Sequence, residues 1–266
     1  MTAQGLSRPD AAPQTGASPW LGTGQGVSIA VIDSGINPKH SHVGRVEGGI
    51  AIRLGEDGVV IFEDDWNDAL GHGTAIAGVL RAKAPGALLY SVRIFHQRLQ
   101  ASPAAAAAAI RWAADHGAKI INCSLSTPEA QHRALFQAAC DHAAARGACI
   151  VAASLPGHFG LLPASLPGVI AVAADPACSW DEYRGGTAGP SGEPLFLAHP
   201  SPRPLPGRPQ EKNLQGASFA AAHIAAWAAR IREQAPMADA AAIARILVAH
   251  EAAGAVPSSS GGLQSS

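Results

Sequence analysis

Short apolar runs alternating with helix-length segments most restrict what this chain can fold into. VSIAVI (27–32), ACIVAA (148–153) and VIAVAA (169–174) are continuously apolar, and ALLYSVRI (87–94) and AKIIN (118–122) have strand character. Such runs lack the polar alternation of a strand with one wet face and suit strands buried on both sides of a parallel sheet. The stretches between them read as the covering helices. Pro103 opens a helix over 104–116 that Gly117 ends, and Pro128 opens another, reaching about Arg146 before a second glycine. AIAGVL (75–80) begins a helix of small side chains, an alanine-rich helix follows Ser218, and 237–250 forms the last. The expected fold is α/β: a three-layer, doubly wound, mostly parallel sheet with helices on both faces. A length of 266 residues suits one such domain. It is placed at 21–253, with an irregular arm over 1–20 and a flexible tail over 254–266. The Gly- and Pro-rich stretch 180–213 reads as a long loop that shapes a cleft.

Composition removes several functions. The net charge is -1 and the pI about 6.8, without a dense Lys/Arg cluster, so neither nucleic acid nor an anionic membrane surface is an expected partner. No apolar run approaches the roughly 18 residues of a spanning helix. The opening MTAQGLSRPDAAPQTGASPW has neither a basic start nor an apolar stretch of signal-peptide type. Cys123, Cys140, Cys149 and Cys178 show no C-x-x-C pair and no metal spacing, and read as free thiols. These features together imply a cytoplasmic enzyme. Glu56, Asp57, Glu63, Asp64, Asp65 and Asp68 read as a solvated acidic rim, because their spacing does not match a calcium loop.

Three residues carry chemistry. Asp33 ends the run VSIAVID, at the strand end where α/β folds place their sites, although an Asx-turn residue would look the same. His72 sits between Gly71 and Gly73, which leave its ring accessible and its backbone free to approach a neighbour. Thr74 is positioned to help cap the following helix. Ser218 stands where loop turns into helix; alone it reads as an N-cap serine. Taken together, an acid, a base and a nucleophile in the order Asp, His, Ser describe a catalytic triad. Ser218 would attack, His72 would move the proton, and Asp33 would fix the imidazole tautomer. That chemistry needs no cofactor, and no H-E-x-x-H pattern or other ligand set suggests a metal.

The motifs AVIDSG, GHGTAIAG and GASFAAAHIAA, with IINCSLS (120–126) and IVAAS (150–154), are similar to those of the subtilisin-type serine peptidases, the subtilases. The resemblance spans about residues 20–250. It implies a serine endopeptidase with Asp33, His72 and Ser218 as its triad. It also implies a substrate backbone paired along Ser124, Leu125 and Ser126, and a first pocket between 124–128 and 152–155 that includes Ala152 and Ala153. Ser126 replaces the family's usual glycine. In AASLPGH (152–158), Ser154 stands at the usual glycine and Leu155 at the asparagine whose amide serves the oxyanion; Ala217 replaces a usual threonine. Loss of one such donor costs about 3 kcal/mol of transition-state stabilisation. The Ser218 backbone N–H, Ser154 and His158 are the remaining oxyanion candidates. A selective enzyme that removes a leader from a precursor peptide or small protein, alongside other peptide-maturation enzymes, is the implied function. A catalytically impaired peptide-binding scaffold is the alternative. A narrower resemblance is to the cytoplasmic subtilase that matures the small subunit of quinohemoprotein amine dehydrogenase.

Overall fold

The computed structural model describes residues 22–158, 160–188, 194–207 and 209–254. The arm expected over 1–20 and the tail expected from 254 lie outside these residues, apart from Gly254, which closes the last helix. In chain order the strands are β1 (Ser28–Asp33), β2 (Gly48–Leu54), β3 (Val60–Glu63), β4 (Leu88–Arg93), β5 (Ile120–Cys123), β6 (Cys149–Ala153), β7 (Val169–Ala174), β8 (Tyr183–Ala188) and β9 (Pro194–Ala198). Among the described residues they form one sheet in the order β3-β2-β4-β1-β5-β6-β7-β9-β8. The inner strands from β2 to β9 run parallel, and an antiparallel strand borders each edge.

Helices α1 (His72–Lys83), α2 (Pro103–Asp115), α3 (Arg133–Ala145), α4 (Ala217–Gln234) and α5 (Ala240–Gly254) cover the two faces. Side chains alternate across a strand, and β1 shows the result. Ile29 and Val31 pack into the core shared with α1, α4 and α5. Ala30 and Ile32 pack into the core shared with α2 and α3. A run wetted on neither face must be apolar at every position, which is why VSIAVI carries no polar break. The expected α/β sandwich is therefore present, as a mixed sheet flanked by helices on both sides.

Two local expectations change, and the acidic stretch gains a structure. The helix after Pro128 begins at Arg133, behind a short 3-10 turn at Ala130–His132. Thr127 exchanges backbone hydrogen bonds of 2.9 and 2.8 Å with Leu162, which holds the chain extended up to the proline. The supposed loop over 180–213 contains β8 and β9. The phenol of Tyr183 donates to the Leu247 carbonyl at 2.9 Å and Glu251 accepts from the Gly185 N–H at 2.8 Å, so α5 anchors the glycine-rich β8. The acidic stretch over 51–70 contains the β2–β3 hairpin, turned at Gly58 with φ 78.

Arg81, in the last turn of α1, ties remote segments together. Its guanidinium donates to the carbonyls of Val43, Pro85, Ala87 and Arg45 at 2.9, 2.8, 3.0 and 2.7 Å. One planar cation thus joins the chain before β2 to the chain before β4.

Candidate active site

β1 brings Asp33 to the C-terminal edge of the sheet, where it is fully buried. Its carbonyl accepts from the N–H groups of Ile94 and Phe95 at 2.8 and 3.2 Å, so its backbone is held from the neighbouring strand. Oδ1 accepts from the Ser34 N–H at 2.7 Å. His72 opens α1, and its Nδ1 lies 2.8 and 2.9 Å from the two oxygens of Asp33. A carboxylate only accepts, so Nδ1 donates and Nε2 is left as the acceptor. The glycines of G-H-G have separate reasons. Gly71 has φ 82 at the helix cap. A methyl group at Gly73 would lie 2.1 Å from the Gly35 carbonyl oxygen, so only glycine lets α1 approach β1 this closely.

Burial lowers the basicity of His72, but its hydrogen bond to Asp33, the Asp33 charge and the Asp68 charge outweigh that and leave its pKa raised. The ring packs against Phe219, with centroids 5.1 Å apart.

Asp68 has a role the sequence did not disclose. Its Oδ1 accepts from the Ser34 hydroxyl at 2.8 Å and from the Leu70 and Gly71 N–H groups at 2.8 and 2.9 Å. Its Oδ2 accepts from the N–H and hydroxyl of Thr74 at 2.8 and 2.5 Å. Ser34 Oγ in turn accepts from the Gly73 N–H at 2.9 Å. Asp68 therefore joins the residue after Asp33 to the residues on both sides of His72. It does the capping expected of Thr74, whose hydroxyl instead binds Asp68 and the Asn37 N–H. The sequence signal was an acid a few residues before a helix whose cap position, Gly71, has no side chain. Two other acids of the rim pair with arginines: Glu63 with Arg53 at 2.8 Å and Asp65 with Arg93 at 3.1 Å. Among the described residues no three His, Cys, Asp or Glu side chains are grouped to hold a metal ion.

Ser218 is the second residue of α4; the cap position is Gly216, so Ser218 is not the N-cap. It is half-buried and shares a groove of about 600 Å³ with His72. Ser124, Leu125 and Ser126 form part of its wall, as does Phe95. Ser124 is fixed from beneath: its N–H donates to Ile32 and its hydroxyl accepts from the Asn122 amide at 3.1 Å. Asn122 lies wholly buried in β5, and its Oδ1 has no hydrogen-bond partner.

The other expected site residues are not among those that line this groove. Ala152 and Ala153 are buried within β6. The Ser154 N–H is spent on the Val172 carbonyl at 2.7 Å. Leu155 is 46% exposed. It opens a turn in which its carbonyl accepts from the N–H of the exposed His158. Ala217 is half-buried against the α4 core. All four cysteines are free and buried. Burial pushes the Cys140 and Cys149 thiols up to about 12, far from a reactive thiolate.

The sequence profile of the Subtilase family matches residues 24–262. Subtilisin Savinase of Lederbergia lenta is 29% identical over 231 residues, covering 80% of this chain and 79% of its own. An alkaline protease of Shouchella clausii is also 29% identical over 231 residues, and there the match spans 56% of the relative's length. A cold-adapted subtilisin-like serine proteinase superposes with a TM-score of 0.64 at 20% identity, over 86% of this chain and 83% of that one. A protease of Pseudoalteromonas arctica PAMC 21717 gives 0.66 at 22% identity, over 86% and 84%. These last two likenesses concern the fold. The expectation of a cytoplasmic enzyme is overturned by the relatives, which are secreted extracellular subtilisins. It rested on how the sequence begins and on unpaired cysteines, and a thiol sealed in the core reports packing rather than compartment. Among the described residues no helix is long and apolar enough to cross a membrane.

Proposed function

The chain belongs to the subtilase family and is a serine endopeptidase, and we propose that it is a selective processing enzyme in which Ser218, His72 and Asp33 act as the triad. The observation that carries the assignment is the Asp33 carboxylate straddling His72 Nδ1 at 2.8 and 2.9 Å, with His72 and Ser218 lining one groove. Nε2 takes the Ser218 proton as Oγ attacks the scissile carbonyl, then gives it to the departing amine. The acyl-enzyme left on Ser218 is released by water, activated by the same nitrogen. Asp33 holds the tautomer throughout and stabilises the imidazolium. Asp68, through Ser34 and Thr74, is a positioning residue for the pair.

The backbone N–H of a helix's second residue has no intrahelical partner, so the Ser218 N–H is available to the oxyanion, aided by the positive end of α4. Leu155 and Ala217 offer no polar side chain there. Remote binding can replace such stabilisation when the right substrate is held accurately at the scissile bond. That argument supports cleavage of a precursor polypeptide at one bond, as in leader removal, and partnership with other maturation enzymes. The proposed likeness to the maturation protease of quinohemoprotein amine dehydrogenase draws on this altered segment. An extended substrate lies along Ser124, Leu125 and Ser126, adding a strand to that edge.

A fluorophosphonate probe followed by peptide mapping tests the nucleophile: label is expected on Ser218, and Ser218→Ala should abolish both label and cleavage. Product mass spectrometry on an unrelated protein mixture tests selectivity. Efficient cutting at many unrelated bonds would remove the processing role while leaving the triad in place.

A further inference from the structure

α1 separates the groove from a second cavity of about 370 Å³. His72 faces the groove, whereas Gly71, Thr74 and Ala75, spaced as neighbours on one helical face, line the second cavity. Gly78 continues that face. A methyl group there would lie 3.3 Å from His42 Cβ and 4.0 Å from Arg203 Cδ, so the missing side chain leaves room for both. Leu214, four residues before Ser218, borders the same space.

The charges in this cavity are unequal. Asp68 is in its wall, but both oxygens are engaged by the five donors described above. His42 is pushed towards its neutral form by burial, by Arg203 and by His40. Among the described residues no carboxylate forms an ion pair with Arg203. Its guanidinium is therefore a cation of this wall without an ion-pair partner, while the Asp68 carboxylate in the same wall has its lone pairs taken up by neutral donors.

The position gives the pocket a role. The acyl half of a substrate lies along the wall containing Ser124, and the leaving amine must start within reach of His72 to receive its proton. The leaving half then continues past His72 towards the face of α1 that lines the second cavity. We propose that this cavity is a leaving-group subsite that selects an acidic side chain a few residues after the scissile bond, with Arg203 as its counter-charge. The inference rests on the triad reading, and it makes the missing oxyanion side chains tolerable by adding a binding contact that only some substrates possess.

The test uses a bond found to be cleaved by the full chain. Quenched peptides around it carry Glu, Gln or Lys at each of the four positions after the cut, and kcat/KM is measured. Glu is expected to exceed Gln by about tenfold at one position. That ratio should fall to about one in Arg203→Met, and Arg203→Glu should favour Lys instead. Absence of a Glu advantage at all four positions, or its survival in Arg203→Met, would overturn the proposal. Fluorescence anisotropy of labelled leaving-half peptides on Ser218→Ala gives the same Glu/Gln comparison without turnover. Should Ser218→Ala still cleave, the triad reading fails, while the binding ratio continues to judge the cavity.

Discussion

The Asp33–His72 pair and the segment expected to serve the oxyanion are finished to different standards. On the base side, Asp33 and His72 sit in a closed set of hydrogen bonds that runs through Ser34, Asp68 and Thr74. The segment 154–158 offers an exposed Leu155, a backbone N–H of Ser154 already given to Val172, and an exposed His158. On the proposed triad, proton transfer is thus organised before substrate arrives, whereas stabilisation of the tetrahedral oxygen depends on the α4 backbone and on what the substrate brings. An enzyme built this way loses little accuracy in moving protons but demands a good fit before it reacts. For the proposed selective enzyme, the contrast would place selectivity in the chemical step as well as in the pockets.

The sharpest test of the finished side is Asp33→Asn. The amide can present an N–H to Nδ1 and favour the tautomer that cannot accept from Ser218, so kcat should fall by about 10⁴. Single-turnover kinetics on a cleavable peptide would measure it; a loss below tenfold would show that the base side is not organised by Asp33.

The unfinished side is tested by a gain. Leu155→Asn restores an amide at an exposed position, where little packing is lost. It should raise kcat by about ten- to a hundredfold on a poor general substrate and by less on a cognate one. No gain on either would mean that the oxyanion is already served from elsewhere, and the contrast would disappear.

Asp68→Asn should act more gently. The amide can satisfy the donors on one oxygen but meets those on the other with its own N–H groups, so kcat should drop about tenfold with KM nearly unchanged. Its charge also contributes to the raised pKa of His72. The base works only when neutral, so wild-type activity should be lost as pH falls through that raised pKa, and the acid limb should move to lower pH in the variant. An unmoved limb would reduce Asp68 to a helix cap.

Much of this was legible in the sequence, for reasons that differ from element to element. β1 and β6 are wetted on neither face, so their composition alone revealed them. α2 announced itself through Pro103, with Ser102 capping at 3.1 Å. β8 did not, because YRGGTA owes its strand conformation to pairing with β9 and to Tyr183 and Glu251 reaching α5. The start of α3 was hidden by a bridge to Leu162, far along the chain. At the site, Asp33 and His72 were readable because the nearby glycines are demanded, Gly73 by close backbone approach and Gly71 by its positive φ. Asp68 was harder to pick out, since among six acids only its place shortly before a helix capped by Gly71 marks it.

Arg81 has a consequence for how the fold depends on its surroundings. Four carbonyl oxygens converging on one positive centre are what a hard metal ion would gather. Here the centre is tethered to the chain it organises. Its occupancy is one by covalent construction, whatever the composition of the medium. A chelator has nothing to extract from this junction, dilution cannot empty it, and no loading step follows synthesis. The same tether forbids exchange: the junction cannot be strengthened by adding more cation, nor repaired from solution once position 81 is changed.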